Sequence, residues 1–193
     1  DEAAVQAAVR SAEAAFGPVH MAIANAGAVE SARFLATDAA AWQRMFEVNT
    51  MGAVHLARAV LPAMLSAKAG RLVMIASTAG LTGYPYVSAY VAAKHAVVGL
   101  VRALAREVAT SGVTVNAVCP GFTDTDLVAQ SVARIVDTTG RTAEQATAAL
   151  VANNPQGRLV TPEEVADAVR WLCSTGASAI TGQAIAVAGG EVG

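Results

Sequence analysis

Four side chains in this sequence can move a proton on and off an alcohol oxygen: Asn49, Ser77, Tyr90 and Lys94. Tyr90 and Lys94 stand four residues apart in Tyr90-Val91-Ala92-Ala93-Lys94. On a helix that spacing puts both on one face. A phenol has an ordinary pKa of about 10 and is a poor base at neutral pH. A neighbouring ammonium favours the phenolate and is expected to draw that pKa down. Ser77 closes the apolar run Leu72-Val73-Met74-Ile75-Ala76, thirteen residues before Tyr90. A buried parallel strand would deliver its hydroxyl to the edge of a site there. Asn49 falls inside a helical stretch with Gly52 three residues on. Asparagine competes for backbone hydrogen bonds in helices, so a local distortion is expected at that point.

Positioning these groups takes alternating strands and helices. Short apolar runs alternate with longer segments of helical period, the pattern of βαβ units and a parallel sheet. Residues 2–16 read as a helix with Val5, Ala8, Val9, Ala12 and Phe16 on one face. His20 to Asn25 reads as a strand. Thr37 is the expected cap of a helix from Asp38 to about Ser66, with Pro62 near its end. Arg71 to Ser77 reads as a strand, 87–109 as a helix and Val113 to Cys119 as a buried strand stopped by Pro120-Gly121. Residues 126–152 read as helical with a break near Gly140. Thr161-Pro162-Glu163-Glu164 is a capped helix start with proline at the first position. Gln183 to Val187 is a last strand. That gives four strands and α/β architecture in one domain, residues 1–193, with no repeat or linker.

Composition narrows the function. Of 193 residues, 54% are hydrophobic and 15% charged, which suits elements buried on both faces. The net charge is −2 with no basic stripe, which argues against nucleic acid as a partner. The uncharged run from Leu72 to Ala93 is interrupted by Gly80, Gly83 and Pro85 and is rich in hydroxyls, so it reads as strand, loop and helix start rather than a membrane span. His20, His55 and His95 show no metal-binding spacing. Cys119 and Cys173 form no C-x-x-C pair and read as reduced thiols of a cytoplasmic protein, with no secretory leader in view.

The ordered set Asn25-Ala26-Gly27, Asn49, Ser77, Tyr90-x-x-x-Lys94 and Pro120-Gly121 resembles the classical short-chain dehydrogenase/reductase family over essentially the whole chain. The resemblance implies a Rossmann-like, doubly wound parallel sheet in three αβα layers. It implies reversible hydride transfer between a nicotinamide, NAD or NADP, and a secondary alcohol or ketone. Tyr90 would be the general acid/base, Lys94 its electrostatic partner, Ser77 the group that holds the substrate oxygen, and Asn49 the support of a water-borne proton relay. Asn25, Ala26 and Gly27 would lie on the adenosine side of the cofactor. Pro120, Gly121, the Thr123 backbone and the Thr125 hydroxyl would meet the nicotinamide carboxamide, and Tyr90 and Lys94 would also touch the cofactor. A Gly-rich pyrophosphate turn should precede all this. None appears in the sequence, so the expectation is a fold lacking its first strands, with His20–Asn25 as an exposed apolar edge.

The segments Tyr90–Gly99, Val115–Phe122 and Ile180–Gly190 look most like 3-hydroxyacyl-CoA dehydrogenases and 3-oxoacyl reductases. Val87 stands where related enzymes often carry a polar residue, which disfavours a free hydroxy acid. Ser111 and Lys68 fall where carrier-protein reductases can carry docking cations. The loop from Leu81 to Val87, with Tyr84 and Tyr86, suits an uncharged acyl or ring group. The expectation is a 3-hydroxyacyl thioester as small-molecule substrate; the alternatives are a polyol, sugar or cyclic alcohol, or a non-catalytic homologue. Residues 126–155 are expected to form a mobile cover. The alanine-rich faces of 38–66 and 87–109 suggest a homo-oligomer, dimer or homotetramer.

Overall fold

The computed structural model describes residues 1–192. Four strands form one parallel sheet in the order β1 (Met21–Ala24), β2 (Gly70–Ile75), β3 (Val113–Pro120) and β4 (Ala184–Val187). Ala22 lies opposite Leu72, Leu72 opposite Val115, and Val118 opposite Ile185. Parallel neighbours need long crossovers. Helices α1 (Glu2–Phe16), α2 (Ala39–Phe46), α3 (Gly52–Ala67), α4 (Ser88–Glu107), α5 (Asp126–Thr139), α6 (Ala143–Val151) and α7 (Pro162–Cys173) occupy the segments around the strands.

Alternation along the strands divides the core. Leu72, Met74, Val113, Val115 and Ala117 face α3 and α4, where Ala57, Val60, Met64, Val97 and Val101 are buried. Val73 and Val118 face the other way, onto Leu172 of α7. Both sheet faces are therefore covered at β2 and β3. At the edge strand β1 only Ala22 and Ala24 reach the core, and Met21 and Ile23 stay 56% and 41% exposed. The apolar edge expected from the sequence is present. Among the described residues no helix is long and apolar enough to cross a membrane.

Two details differ from the sequence reading. The cap at the start of α2 is Asp38, whose carboxylate accepts from the Ala41 amide at 2.7 Å; Thr37 instead donates to the Arg33 carbonyl at the end of a 3₁₀ turn. The single helix expected over 38–66 is divided by a π-helical turn, Glu47–Met51. The start of α7 follows expectation. Thr161 and Glu164 form a reciprocal capping box with Pro162 inside the first turn.

Candidate active site

The π turn is built around Asn49, which is 3% exposed. Its Nδ2 donates to the Met45 carbonyl at 3.0 Å and to the Ala28 carbonyl at 2.9 Å, while its Oδ1 accepts from the Ala28 amide at 3.2 Å. A widened turn strands a helical carbonyl, and the asparagine's own amide satisfies it. The same side chain bolts the chain leaving β1 to the helix layer. Thr50 donates to the Ala93 carbonyl at 3.0 Å and joins the π turn to α4.

Helix α4 brings Tyr90 and Lys94 to the ends of β2 and β3. Lys94 is 3% exposed and donates from Nζ to the Ile75 carbonyl at 2.9 Å. Its ammonium lies 5.6 Å from the Tyr90 ring centroid. Burial draws Lys94 down to about 8, against a smaller opposing pull from Cys119. Burial in turn pushes the Cys119 thiol up to about 11. Ser77 lies two residues beyond β2, on extended backbone, and caps a 3₁₀ turn by accepting from the Ala79 amide at 3.1 Å.

The Tyr90 acidity runs against expectation. Burial pushes the phenol above its ordinary value, and hydrogen bonding with Ser77 pulls it part of the way back. The Lys94 ammonium faces the ring and is held by the Ile75 carbonyl.

The segment Asn25-Ala26-Gly27 follows β1 directly. Asn25, Ala26 and Gly27 are all exposed, and Gly27 also runs against the acid/base cluster. A Cβ on Gly27 would stand 3.0 Å from Asn49 Oδ1 and 3.5 Å from Lys94 Nζ. Only glycine lets the backbone come this close. On the other side, Pro120 ends β3, and Gly121 donates to the Val187 carbonyl at 3.0 Å. Thr123 donates to the Gly121 carbonyl at 3.0 Å and Thr125 to the Thr123 carbonyl at 3.2 Å. Asp124 and Val160 bind through backbone at 2.9 Å, which fastens the start of α5 to the chain before α7.

The structure thus gathers Asn49, Ser77, Tyr90, Lys94 and Gly27 in one cluster and frames it with Pro120–Thr125. Two clefts open elsewhere, neither lined by Asn49, Ser77, Tyr90 or Lys94. One of about 200 Å³ is polar and lined by Glu30, Arg44, Tyr86, Ser88 and Arg134. The other, about 450 Å³, lies between α5 and α6 and is lined by Val128, Val132, Val136 and Leu159. The sequence reading missed a third feature. The Tyr84 hydroxyl lies 2.8 Å from Thr78 Oγ1 and 2.7 Å from Glu191 Oε1, and its ring meets Phe122 edge-on at 6.1 Å.

A parallel sheet delivering a half-buried tyrosine, a buried lysine and a serine to one edge defines a Rossmann-type oxidoreductase. The family model described as enoyl-(acyl carrier protein) reductase matches residues 1–191. The chain belongs to the short-chain dehydrogenase/reductase family, NAD(P)-dependent enzymes acting on CH–OH groups. It is 39% identical to an inactive 2-(S)-hydroxypropyl-CoM dehydrogenase 2 of Xanthobacter autotrophicus, over 98% of this chain and 80% of that one. It is 38% identical to a putative ketoacyl reductase of Streptomyces coelicolor, over 96% of this chain and 72% of that one. Among solved structures it is similar to a point variant of actinorhodin polyketide ketoreductase with NADPH. The TM-score there is 0.94 at 37% identity, covering 99% of this chain and 74% of that one.

Proposed function

We propose that this chain, read as one oxidoreductase domain over residues 1–193, interconverts a 3-oxoacyl and a 3-hydroxyacyl thioester. The observation that carries this reading is the Tyr90–Lys94–Asn49 cluster, with Lys94 and Asn49 buried and Tyr90 half-buried, and an uncharged aromatic wall beside it. Tyr84 and Phe122 form that wall, and position 87 holds a valine rather than a cation that could meet a free carboxylate.

Each residue then has a task. Ser77 donates to the substrate oxygen and holds it against Tyr90. Tyr90, protonated at neutral pH, gives its proton to the forming alkoxide, a far stronger base than a phenolate. Lys94, with two hydrogens left after its bond to Ile75, stabilises the tyrosinate that results. Asn49 holds the chain after β1 against this cluster. The residues fit the nicotinamide end of a dinucleotide. Gly27 lets the backbone pass beside Asn49 and Lys94, where a Cβ would crowd them, and Gly121, Thr123 and Thr125 present backbone and hydroxyls near the end of β3. A bound NAD or NADP would supply or take up the hydride. Asn25, Ala26, Gly27, Tyr90, Lys94, Pro120, Gly121, Thr123 and Thr125 are the proposed contacts to it.

Helices α5 and α6 are proposed to cover the substrate. Helix α5 buries none of its residues, which suits a movable element. Phe46, Val48, Met51 and Leu65, each 36–40% exposed on the α2–α3 side, support a homo-oligomer built on that face. One relative is described as inactive, yet all four acid/base residues are present and assembled in this chain.

A substrate panel tests the reading. The expected result is turnover of acetoacetyl-CoA or a longer 3-oxoacyl thioester with NADH or NADPH. Turnover of sugars, polyols or cyclic alcohols alone would replace the substrate class, and turnover of nothing would favour a non-catalytic homologue.

A further inference from the structure

Glu191 lies far from the acid/base residues in sequence and takes no part in the proton transfer, yet it touches the wall of the same site. Gly189 and Gly190 both take positive φ, 61° and 93°, and turn the chain after β4 back over the site. A Cβ on Gly189 would run into the Asn154 side chain. The turn carries Glu191 to Tyr84, whose hydroxyl it binds at 2.7 Å across 107 residues of sequence. Its other oxygen lies 3.0 Å from where a Cβ on Gly121 would stand.

The bonding pattern is directional. A phenol has one proton and a carboxylate only accepts, so Tyr84 donates to Glu191 and the Thr78 hydroxyl is left to donate to Tyr84. Thr78 is 3% exposed and follows Ser77 directly. The ring itself is fixed edge-on against Phe122. Burial first, and Glu191 next to it, push the Tyr84 phenol up to about 12, so it stays a donor at any physiological pH. The Glu191 carboxylate thereby ties the loop after β4 to the loop after β2, and Tyr84 in turn meets Phe122 of the loop after β3.

We propose that Glu191 is a positioning and specificity residue, which sets Tyr84 as the substrate wall and whose charge turns away ketones carrying a free carboxylate. The proposal rests on the alcohol/ketone reading of the site and narrows it to substrates uncharged beside the carbonyl.

The test compares methyl acetoacetate with acetoacetate on the wild type, Glu191→Gln and Glu191→Ala. Binding is read by ligand-observed NMR, and KM and kcat are measured with NADH and NADPH. The glutamine keeps an oxygen to accept from Tyr84 but loses the charge. It should bind the ester as the wild type does and shift the ester-to-acid affinity ratio toward the acid by about tenfold, the size expected for two charges several ångströms apart near a protein surface. Glu191→Ala frees Tyr84 and should raise KM for the ester more than it lowers kcat. The same ratio in wild type and Glu191→Gln, a wild type that prefers the acid, or binding of neither compound would overturn the proposal. Absence of turnover by a wild type whose binding ratio shifts as stated would sink the dehydrogenase reading and leave the Glu191 assignment standing.

Discussion

Two parts of this molecule face the same site with opposite constructions. The acid/base side, β2, β3, α4 and the π turn, is held by buried and part-buried bonds: Lys94 to Ile75, Asn49 to Ala28 and Met45, Thr50 to Ala93. The covering side, α5 and α6, packs mainly within itself; α6 buries only Ala146 and α5 buries nothing. Local stability follows buried contacts, so the first side should open only with the whole fold and the second on its own. Proton transfer needs fixed geometry, whereas admitting and releasing a substrate needs a part that yields. Under the proposed function, the contrast would divide chemistry from selection.

The largest expected break comes from Tyr90→Phe, which should lower kcat by roughly 10²- to 10⁴-fold. Circular dichroism should show the fold intact. Substitutions of similar size at exposed positions of α5 should change KM rather than kcat. Next comes Asn49→Ala. It strands the Ala28 and Met45 carbonyls and should cost about 2 to 3 kcal/mol in denaturant unfolding, because unpaired buried groups are expensive.

The pH profile sharpens the same contrast. Lys94 is a cation below its pKa of about 8 and neutral above it. If the ammonium stabilises the tyrosinate, kcat should fall as pH rises through about 8. In Lys94→Arg any remaining activity should lose that limb, since a guanidinium stays charged. An unchanged alkaline limb in that variant would remove Lys94 from the stabilising role.

The smallest effects distinguish two helices with the same cap. Thr161→Ala removes the box of α7, which carries the fully buried Leu172, and should lower global stability by about 1 kcal/mol. Thr142→Ala removes the matching box of α6 and should leave the global unfolding midpoint in place while speeding amide exchange within α5 and α6. Equal protection of α4 and α6 in the wild type would contradict the idea of a separately opening cover.

What the sequence reveals depends on range. The α7 start is legible in Thr161-Pro162-Glu163-Glu164 because every partner lies within three residues. The Tyr90–Lys94 pair is legible because helical spacing alone places both on one face. Asn49 signals a distortion, since asparagine at mid-helix is poorly suited, but its widened turn depends on Ala28, 21 residues away. The α2 cap reads one residue early because Thr37 and Asp38 are both good caps, and the 3₁₀ turn before them claims the threonine. Glu191 gives no local signal at all. Its partner Tyr84 is 107 residues distant, and only the fold brings them together. The raised Tyr90 pKa is likewise hidden, because it depends first on burial, which only the packed fold creates.

The most direct test of the central claim follows a hydride. NADH and NADPH carrying deuterium at C4 are incubated with acetoacetyl-CoA and either the wild type or Tyr90→Phe, and the product is read by mass spectrometry. The account predicts deuterium on the new carbinol carbon with the wild type for one face of the nicotinamide. It predicts that the Tyr90→Phe variant slows this transfer by at least about a hundredfold. Transfer at the wild-type rate in that variant would contradict the role assigned to Tyr90 and the acid/base centre built around it.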